Sequence, residues 1–254
     1  MTLKAATHTY IGKRETNQDR VFAKIDTASG LYGLFGVADG MGGLDDGHYA
    51  ATALVEAAER WWLEDLPALL APPPQGELLL NALKAFLLSV NESVLSYSRE
   101  QQAKLGTTCS LLLIYGGTYY VAHAGDSRIY HTQRRLFGRT RISQLTQDHS
   151  WRADQQRLGK LSANEIEANP RRNRLTSCIG VYDQPTIFTG SGGVKRNDTF
   201  IICSDGLYRV FNEAEIGKLA ASNRQCGQLA KSLIDIAQER DTADNASVVA
   251  VNIT

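Results

Sequence analysis

The chain has 254 residues, 43% of them hydrophobic and 21% charged, an ordinary globular composition with enough length to bury a substantial core. Lysine plus arginine and aspartate plus glutamate number 27 each, so the formal net charge is zero. A nucleic-acid binder usually carries a basic excess or a basic stripe; here only Arg171-Arg172-Asn173-Arg174 is locally basic, which argues against a nucleic-acid partner.

The N-terminus, Met1-Thr2-Leu3-Lys4-Ala5, has no long apolar run of the secretory kind. Residues 20–26 and 31–38 are the first β-branched and aromatic runs and read as strands. A helix is expected over residues 47–66, and Pro72-Pro73-Pro74 must break it from the next. That second helix is expected over residues 75–104. Leu79, Leu83, Phe86, Leu87, Val90, Val94 and Tyr97 recur along one of its faces at helical spacing, a core stripe.

Residues 107–115 and 119–124 are strands joined across Tyr115-Gly116-Gly117-Thr118, and 127–132 is a third. Such close neighbours favour antiparallel hairpins over parallel crossovers. Residues 141–145, 186–189, 199–203 and 246–253 complete the strands, and helices over 213–221 and 224–240 precede the last one. The stretch from 150 to 180 is polar, arginine-rich and weakly periodic, and is expected to be a surface insertion. Cys109 and Cys203 fall in apolar runs, as buried free thiols do. With Cys178 and Cys226 they form no Cys-x-x-Cys pair, which argues against a disulfide framework or a zinc ribbon. The longest apolar runs fall short of the ~18 residues that a membrane span needs. One α+β domain over residues 1–254, cytoplasmic and away from membranes, is the expectation.

The chemistry-bearing residues stand at strand ends. The run 34–38 ends in Asp39-Gly40, the run 200–204 ends in Asp205-Gly206, and Asp244-Asn245 opens the last strand. Gly125-Asp126 closes the strand 119–124, and Asn17-Gln18-Asp19 precedes the strand at Arg20. Each of these taken alone reads more simply as a turn. Five acids at the tips of separate apolar strands read differently if those tips converge on one rim. Converged carboxylates repel unless a cation neutralises them, and hard oxygen donors suit Mg²⁺ or Mn²⁺.

Seven short motifs, in order along nearly the whole chain, resemble those of the PPM family, the PP2C-type protein phosphatases. They are Arg14-Glu15-Thr16-Asn17-Gln18-Asp19, Asp39-Gly40-Met41-Gly42-Gly43, Gly106-Thr107-Thr108, Gly125-Asp126-Ser127-Arg128, Leu145-Thr146-Gln147-Asp148-His149-Ser150, Ser204-Asp205-Gly206-Leu207 and Asp244-Asn245-Ala246-Ser247. The resemblance implies a central antiparallel β-sandwich flanked by helices on both faces, a four-layer αββα fold. It implies hydrolysis of phosphoserine and phosphothreonine by water activated between two Mn²⁺ or Mg²⁺ ions, without a phosphoenzyme. Asp39 would bridge the two metals with the Gly40 carbonyl as a further ligand, Asp205 and Asp244 would complete one site, and Asp19 would support the other. Arg14 would bind the phosphate as a guanidinium fork, although as a bare residue it reads as a surface charge. Asp126 matches the ligand of a third, weaker metal, or else packs beside Arg128.

Two departures accompany the resemblance. Gln18 stands where many relatives carry glutamate, and Leu44 stands where bacterial relatives often carry histidine, the nearest histidine being His48. His48 reads as a proton donor or, more simply, as a capping or surface residue. His8, His123 and His131 read as strand packing or exposure, and His149 as structural. Two rival functions use related features: a two-metal phosphodiesterase or nuclease, and a non-catalytic phosphoprotein-binding member of the fold. Neutral charge and the absence of an aromatic-basic track count against the first; retention of Asp19, Asp39, Asp205 and Asp244 counts against the second. The expected partners are phosphoproteins and a Ser/Thr kinase that the enzyme opposes, or that kinase's targets.

Overall fold

A computed structural model describes residues 1–42, 47–71, 76–134 and 140–254. Leu44 and the triple proline at 72–74 lie outside the described residues.

The continuous apolar strands of the sequence pair into two antiparallel sheets. One runs in the order β1 (Leu3–Tyr10), β11 (Ala246–Ile253), β10 (Thr199–Cys203), β7 (Arg128–Arg134), β8 (Thr140–Gln144). The other runs β2 (Asp19–Ile25), β3 (Gly33–Met41), β5 (Cys109–Tyr115), β6 (Thr118–Ala124), β9 (Phe188–Gly193), with the short β4 (Gly106–Thr107) on the end of β3. We call these the β11 sheet and the β3 sheet.

Side chains alternate along each strand, and in the central strands β3, β5, β10 and β11 both alternating sets are buried. Phe35, Val37, Leu112, Phe200, Ile202, Val249 and Val251 fill the layer between the sheets. From the outer face of the β3 sheet, Leu34, Ala38, Leu111 and Leu113 meet α1 (Gly47–Glu64) and α3 (Gly76–Glu100). From the outer face of the β11 sheet, Ile201, Cys203, Val248 and Ala250 meet α7 (Glu213–Ser222) and α8 (Cys226–Glu239). Burial on both faces is why these antiparallel strands read as unbroken apolar runs, a pattern more usual for parallel sheets under helices. The layers are helix, sheet, sheet, helix, as the family resemblance implied.

The helix expected over 47–66 ends at Glu64; Pro67, which cannot serve as a helix-interior donor, sits in the first turn of a separate α2 (Leu66–Leu70). α3 is long and apolar enough, by length and composition, to cross a membrane. In this fold Leu79, Leu83, Phe86, Leu87, Val90 and Val94 are buried in the cluster over the β3 sheet, the role of a core helix. It closes at Glu100, short of residue 104, with Gln102 in the left-handed region at φ 52°.

The stretch 150–180 differs from a plain surface insertion. It holds α4 (Trp151–Leu158), capped by the Ser150 hydroxyl and a left-handed Gly159, and α5 (Ala163–Ala168), which carries a capping box of Ser162 and Glu165. Its last residues are interior: Ser177, Cys178 and Ile179 are buried, Ile179 within the core over the β3 sheet. Isolated bridges Ser150 to Leu175 and Thr107 to Ile179 tie it down. Overlooked in the sequence, β1 is an edge strand whose Thr7, His8 and Thr9 are exposed.

Candidate functional site

The β3 sheet and the β11 sheet bring their acid-bearing strand ends to one rim. Antiparallel register sets Asp19 of β2 directly opposite Asp39 of β3. Asp205 follows β10 and Asp244 precedes β11, which are paired neighbours. Asp126 lies in the turn from β6 to β7, between the two sheets. All but Asp19 line one cleft of about 630 Å³, together with Arg14, Gln18, Gly40, Thr108, Asn173, Leu175, Arg209 and Asn245. Asp19 sits beneath it, buried.

Local hydrogen bonds fix the rim. The Asp39 amide donates to the Thr108 hydroxyl at 3.0 Å, and the Asp39 carbonyl accepts from the Thr108 amide at 2.9 Å. The Ser204 hydroxyl donates to Asp19 Oδ2 at 2.7 Å and accepts from the Ser247 amide at 2.9 Å, a link from the β11 sheet to the β3 sheet. Asn245 accepts from the Gln18 amide at 2.8 Å through Oδ1 and donates through Nδ2 to the carbonyls of Ile11 and Thr16, which anchors the Arg14 loop. Gly206 is required here: a Cβ on it would stand 2.2 Å from the Asn245 carbonyl oxygen.

The Asp126 turn is held from below. Gly125 has φ +114°, and a Cβ there would meet Thr108 at 2.6 Å. Its amide faces His149 Nδ1 at 3.2 Å, and its carbonyl faces His123 Nε2 at 3.0 Å. Burial drives His123 down to about 3 and lowers His149, so both rings are neutral at physiological pH. Both histidines are therefore packing groups within the fold. So is His131, buried on Asp198 at 2.8 Å, while His8 and His48 are exposed.

Charge on the rim is unevenly compensated. Arg14 grips Asp244 with two bonds, Nε to Oδ1 at 2.9 Å and Nη2 to Oδ2 at 2.7 Å. Arg209 lies 2.7 Å from Asp205 Oδ2 and 3.8 Å from Asp126 Oδ2. Arg128, the expected neighbour of Asp126, instead pairs with Asp148 at 2.7 Å. Among the described residues, Asp19 and Asp39 have no salt bridge to lysine or arginine.

The carboxyl groups accordingly hold their protons more tightly than usual. Burial pushes Asp19 up to about 7, against the opposing pull of the Ser247 and Ser204 hydroxyls. Asp39 is half-buried by exposed area, yet it sits so deep among protein atoms that desolvation raises it well above the carboxylate range. Asp19 and Asp205 add to the rise. Asp126 rises to about 7, through burial and then Asp205, and Asp205 is raised by burial against the pull of Arg209. Two buried oxygens, Asp19 Oδ1 and Asp205 Oδ1, have no hydrogen-bond partner. A buried carboxylate oxygen left unpaired is costly, and hard oxygens of this kind are what Mg²⁺ and Mn²⁺ take as ligands. No three His, Cys, Asp or Glu side chains among the described residues close on one point as they stand, with Asp244 and Asp205 each drawn toward an arginine.

The six aspartate and arginine positions singled out in the sequence therefore meet on one rim, Gly40 with them. Two residues with a bearing on its charge and order were missed. Arg209 was legible as an acid-to-base i,i+4 pair with Asp205. Thr108 stood in a quoted motif with nothing to mark its hydroxyl as a partner of Asp39.

The described fold and motifs have counterparts. The family model described as Protein phosphatase 2C matches residues 8–239. The "Serine/threonine phosphatase stp" of Listeria monocytogenes serotype 4b is 30% identical over 217 residues, covering 85% of this chain and 82% of that protein. The solved S. agalactiae serine/threonine phosphatase superposes with a TM-score of 0.82 at 26% identity, over 99% of this chain and all of that one. PppA of Pseudomonas aeruginosa, described as a key regulatory component of T6SS, gives a TM-score of 0.80 at 25% identity over 100% and 99% of the two chains.

Proposed function

This chain belongs to the protein phosphatase 2C family and is a protein serine/threonine phosphatase, and we propose that its rim of aspartates holds two Mn²⁺ or Mg²⁺ ions in the cytoplasm. The reading rests chiefly on one observation: carboxylates from separate strand ends share one cleft with unpaired, buried oxygens on Asp19 and Asp205. Asp39 and the Gly40 carbonyl would serve both ions, Asp205 and Asp244 would complete one site, and Asp19 would support the other, directly or through water. Asp126 stands outside this set, against Arg209. When bound, the two ions supply an activated water nucleophile and neutralise charge developing on the phosphoryl group.

The residues of the chain have their own tasks. Arg14 offers Nε and Nη2 side by side, the fork that matches two phosphate oxygens. It is more than half exposed and now lies on Asp244, so a metal ion on Asp244 would free the guanidinium for substrate. Ser204 and Thr108 hold Asp19 and the Asp39 backbone in place. Burial of the rim keeps the carboxylates in surroundings where electrostatic attraction is strong. The stretch 150–180, which contributes Asn173 and Leu175 to the cleft and exposes Arg171 and Arg174, would act as a flap that meets the phosphoprotein. The substrates would be phosphoproteins of a Ser/Thr kinase pathway, with the kinase itself or its targets as partners.

Hydrolysis of a phosphothreonine peptide is the test. It should require Mn²⁺ or Mg²⁺ and should cease in excess EDTA, while single-stranded DNA should remain uncut. Full activity in EDTA would overturn the metal reading, and preferential cleavage of DNA would favour a phosphodiesterase.

A further inference from the structure

The edge of the cleft between Asp126 and Asp205 is already neutralised from within. Asp205 divides its two oxygens: Oδ1 is buried and unpaired, and Oδ2 lies 2.7 Å from Arg209. The same guanidinium nitrogen is 3.8 Å from Asp126 Oδ2. Arg209 reaches both because it follows Asp205 by one turn, at the end of the short α6 (Asp205–Tyr208), where its amide bonds back to the Asp205 carbonyl. The cation that the sequence offered to Asp126, Arg128, is committed elsewhere. Its Nε and Nη2 bond to Asp148 at 2.7–3.1 Å, and its guanidinium stacks on the Tyr208 ring at 3.8 Å. Among the described residues Arg209 is the only lysine or arginine within 4 Å of Asp126.

A guanidinium does not lose its proton in proteins, so this positive charge is permanent. A divalent ion placed between Asp126 and Asp205 Oδ2 would have to displace it or sit beside it against strong repulsion. The donor set there does not fit a third metal ion. We propose that Arg209 is the resident cation of the Asp126–Asp205 edge, occupying with a side chain the place a third metal would take, so that this chain works with two ions. The proposal rests on the two-ion reading of Asp39, Asp205, Asp244 and Asp19, with Asp205 turning Oδ1 to the ions and Oδ2 to Arg209.

Counting bound Mn²⁺ tests it, by calorimetric titration of the full chain and by paramagnetic resonance of the free ion. Wild type should bind two. Arg209→Met should bind a third, more weakly, and Arg209→Met combined with Asp126→Asn should return to two. Arg209→Lys, which keeps the charge, should stay at two. Asp126→Asn alone should also leave the count at two, which keeps the question answerable if Arg209→Met does not fold. A wild-type count of three that drops to two in Asp126→Asn would overturn the proposal and leave the two-ion reading standing. So would an unchanged count in Arg209→Met with a native melting profile. A wild type that binds no Mn²⁺ would overturn the two-ion reading itself, and this proposal with it.

Discussion

The two sheets bring acids to the same cleft under different electrostatic terms. On the β11 side, Asp244 and Asp205 are each matched by an arginine four residues or far more away in sequence, Arg209 and Arg14 respectively for Asp205 and Asp244. On the β3 side, Asp19 and Asp39 face each other across the strand pair with hydroxyls and amides for neighbours. Two opposed like charges are destabilising on a sheet surface, and burial makes ionisation harder still. The β11 side is thus partly neutralised by the chain, although burial still raises Asp205 against the pull of Arg209, while the β3 side requires either protons or an external cation. The difference locates the demand for metal: it is the β3 side that a cation would relieve most, with Asp39 as the shared ligand proposed for it.

The sharpest way to break this comparison is to remove that ligand. Asp39→Asn should be the most damaging single change, ahead of Asp205→Asn and Asp244→Asn, since on the proposed two-ion reading one side chain would serve both ions. Loss of several kcal/mol of transition-state stabilisation, at ~1.4 kcal/mol per decade, amounts to about three powers of ten in turnover of a phosphothreonine peptide. If all three folded variants kept near-wild-type kcat, the assigned cluster would be wrong.

Stability against pH examines the same asymmetry without catalysis. In metal-free protein burial pushes the Asp19 carboxyl up to about 7, against roughly 3.9 for a free aspartate. Between those values the folded state binds more protons than the unfolded, so stability falls as pH rises through the window. From pH 5 to pH 7 in EDTA the folded state should lose about 2 kcal/mol of stability, which at about 2–4 °C per kcal/mol lowers the melting temperature by about 4–8 °C. Mn²⁺ should raise it more at pH 7 than at pH 5, and Asp19→Asn should flatten the metal-free slope. A metal-free melting temperature that climbs steadily from pH 5 to 7 would mean the β3 side is not short of positive charge.

Arg14 probes the partly neutralised side. Its side chain is 60% exposed on Asp244, and an exposed ion pair contributes little to stability. Its loss should instead appear in kcat/KM, mainly through KM, if the fork binds ground-state phosphate. Each charge-assisted hydrogen bond is worth roughly 1.5–3 kcal/mol, so Arg14→Ala should cost about one to two powers of ten. Unchanged KM at full activity would reduce Arg14 to a counter-ion for Asp244.

What could be read from the sequence follows from burial, and what could not follows from chain distance. Strands buried on both faces announce themselves as apolar runs, so β3, β5, β6, β10 and β11 stood out, and the Asp residues at the ends of β3, β6, β10 and β11 with them. β1 did not, because an edge strand with Thr7, His8 and Thr9 exposed lacks that run. α4 was equally hidden: it buries none of its residues, and only the caps at Ser150 and Gly159 signalled it. That strand tips converge cannot be read from spacing. The Ser204 link to Asp19 spans 185 residues, and the Arg128 choice of Asp148 over Asp126 depends on where β8 ends. Motif order supplied the convergence that periodicity could not.

The proposed flap over residues 150–180 should sharpen the comparison at the mouth of the cleft. Arg171 and Arg174 are exposed and Arg172 half-buried, on neither sheet, so they can meet protein substrate without serving the rim. Replacing all three with alanine should lower phosphoprotein turnover severalfold, at roughly 0.2–1 kcal/mol for each exposed charge pair, and spare aryl phosphate. Equal losses on both substrates would point to a defect at the rim or in folding.

The smallest effect is expected at His48. The leaving group of a phosphothreonine peptide is a strongly basic alkoxide, so a general acid should speed its departure, typically by 10²–10⁴. An aryl phosphate leaves as a stabler phenolate and needs such an acid far less. A histidine acting on the β3 side would give that side a titratable cation of its own and erase the contrast with the arginine-bearing side. His48 is exposed near the start of α1 and is not among the residues lining the cleft. His48→Ala should therefore be nearly silent on both substrates, with the alkaline limb of the pH profile, where a protonated donor would be lost, unchanged. A peptide-specific loss of about a hundredfold or more in the folded variant, with aryl phosphate spared, would make His48 the proton donor and place a protein cation on the side argued to lack one.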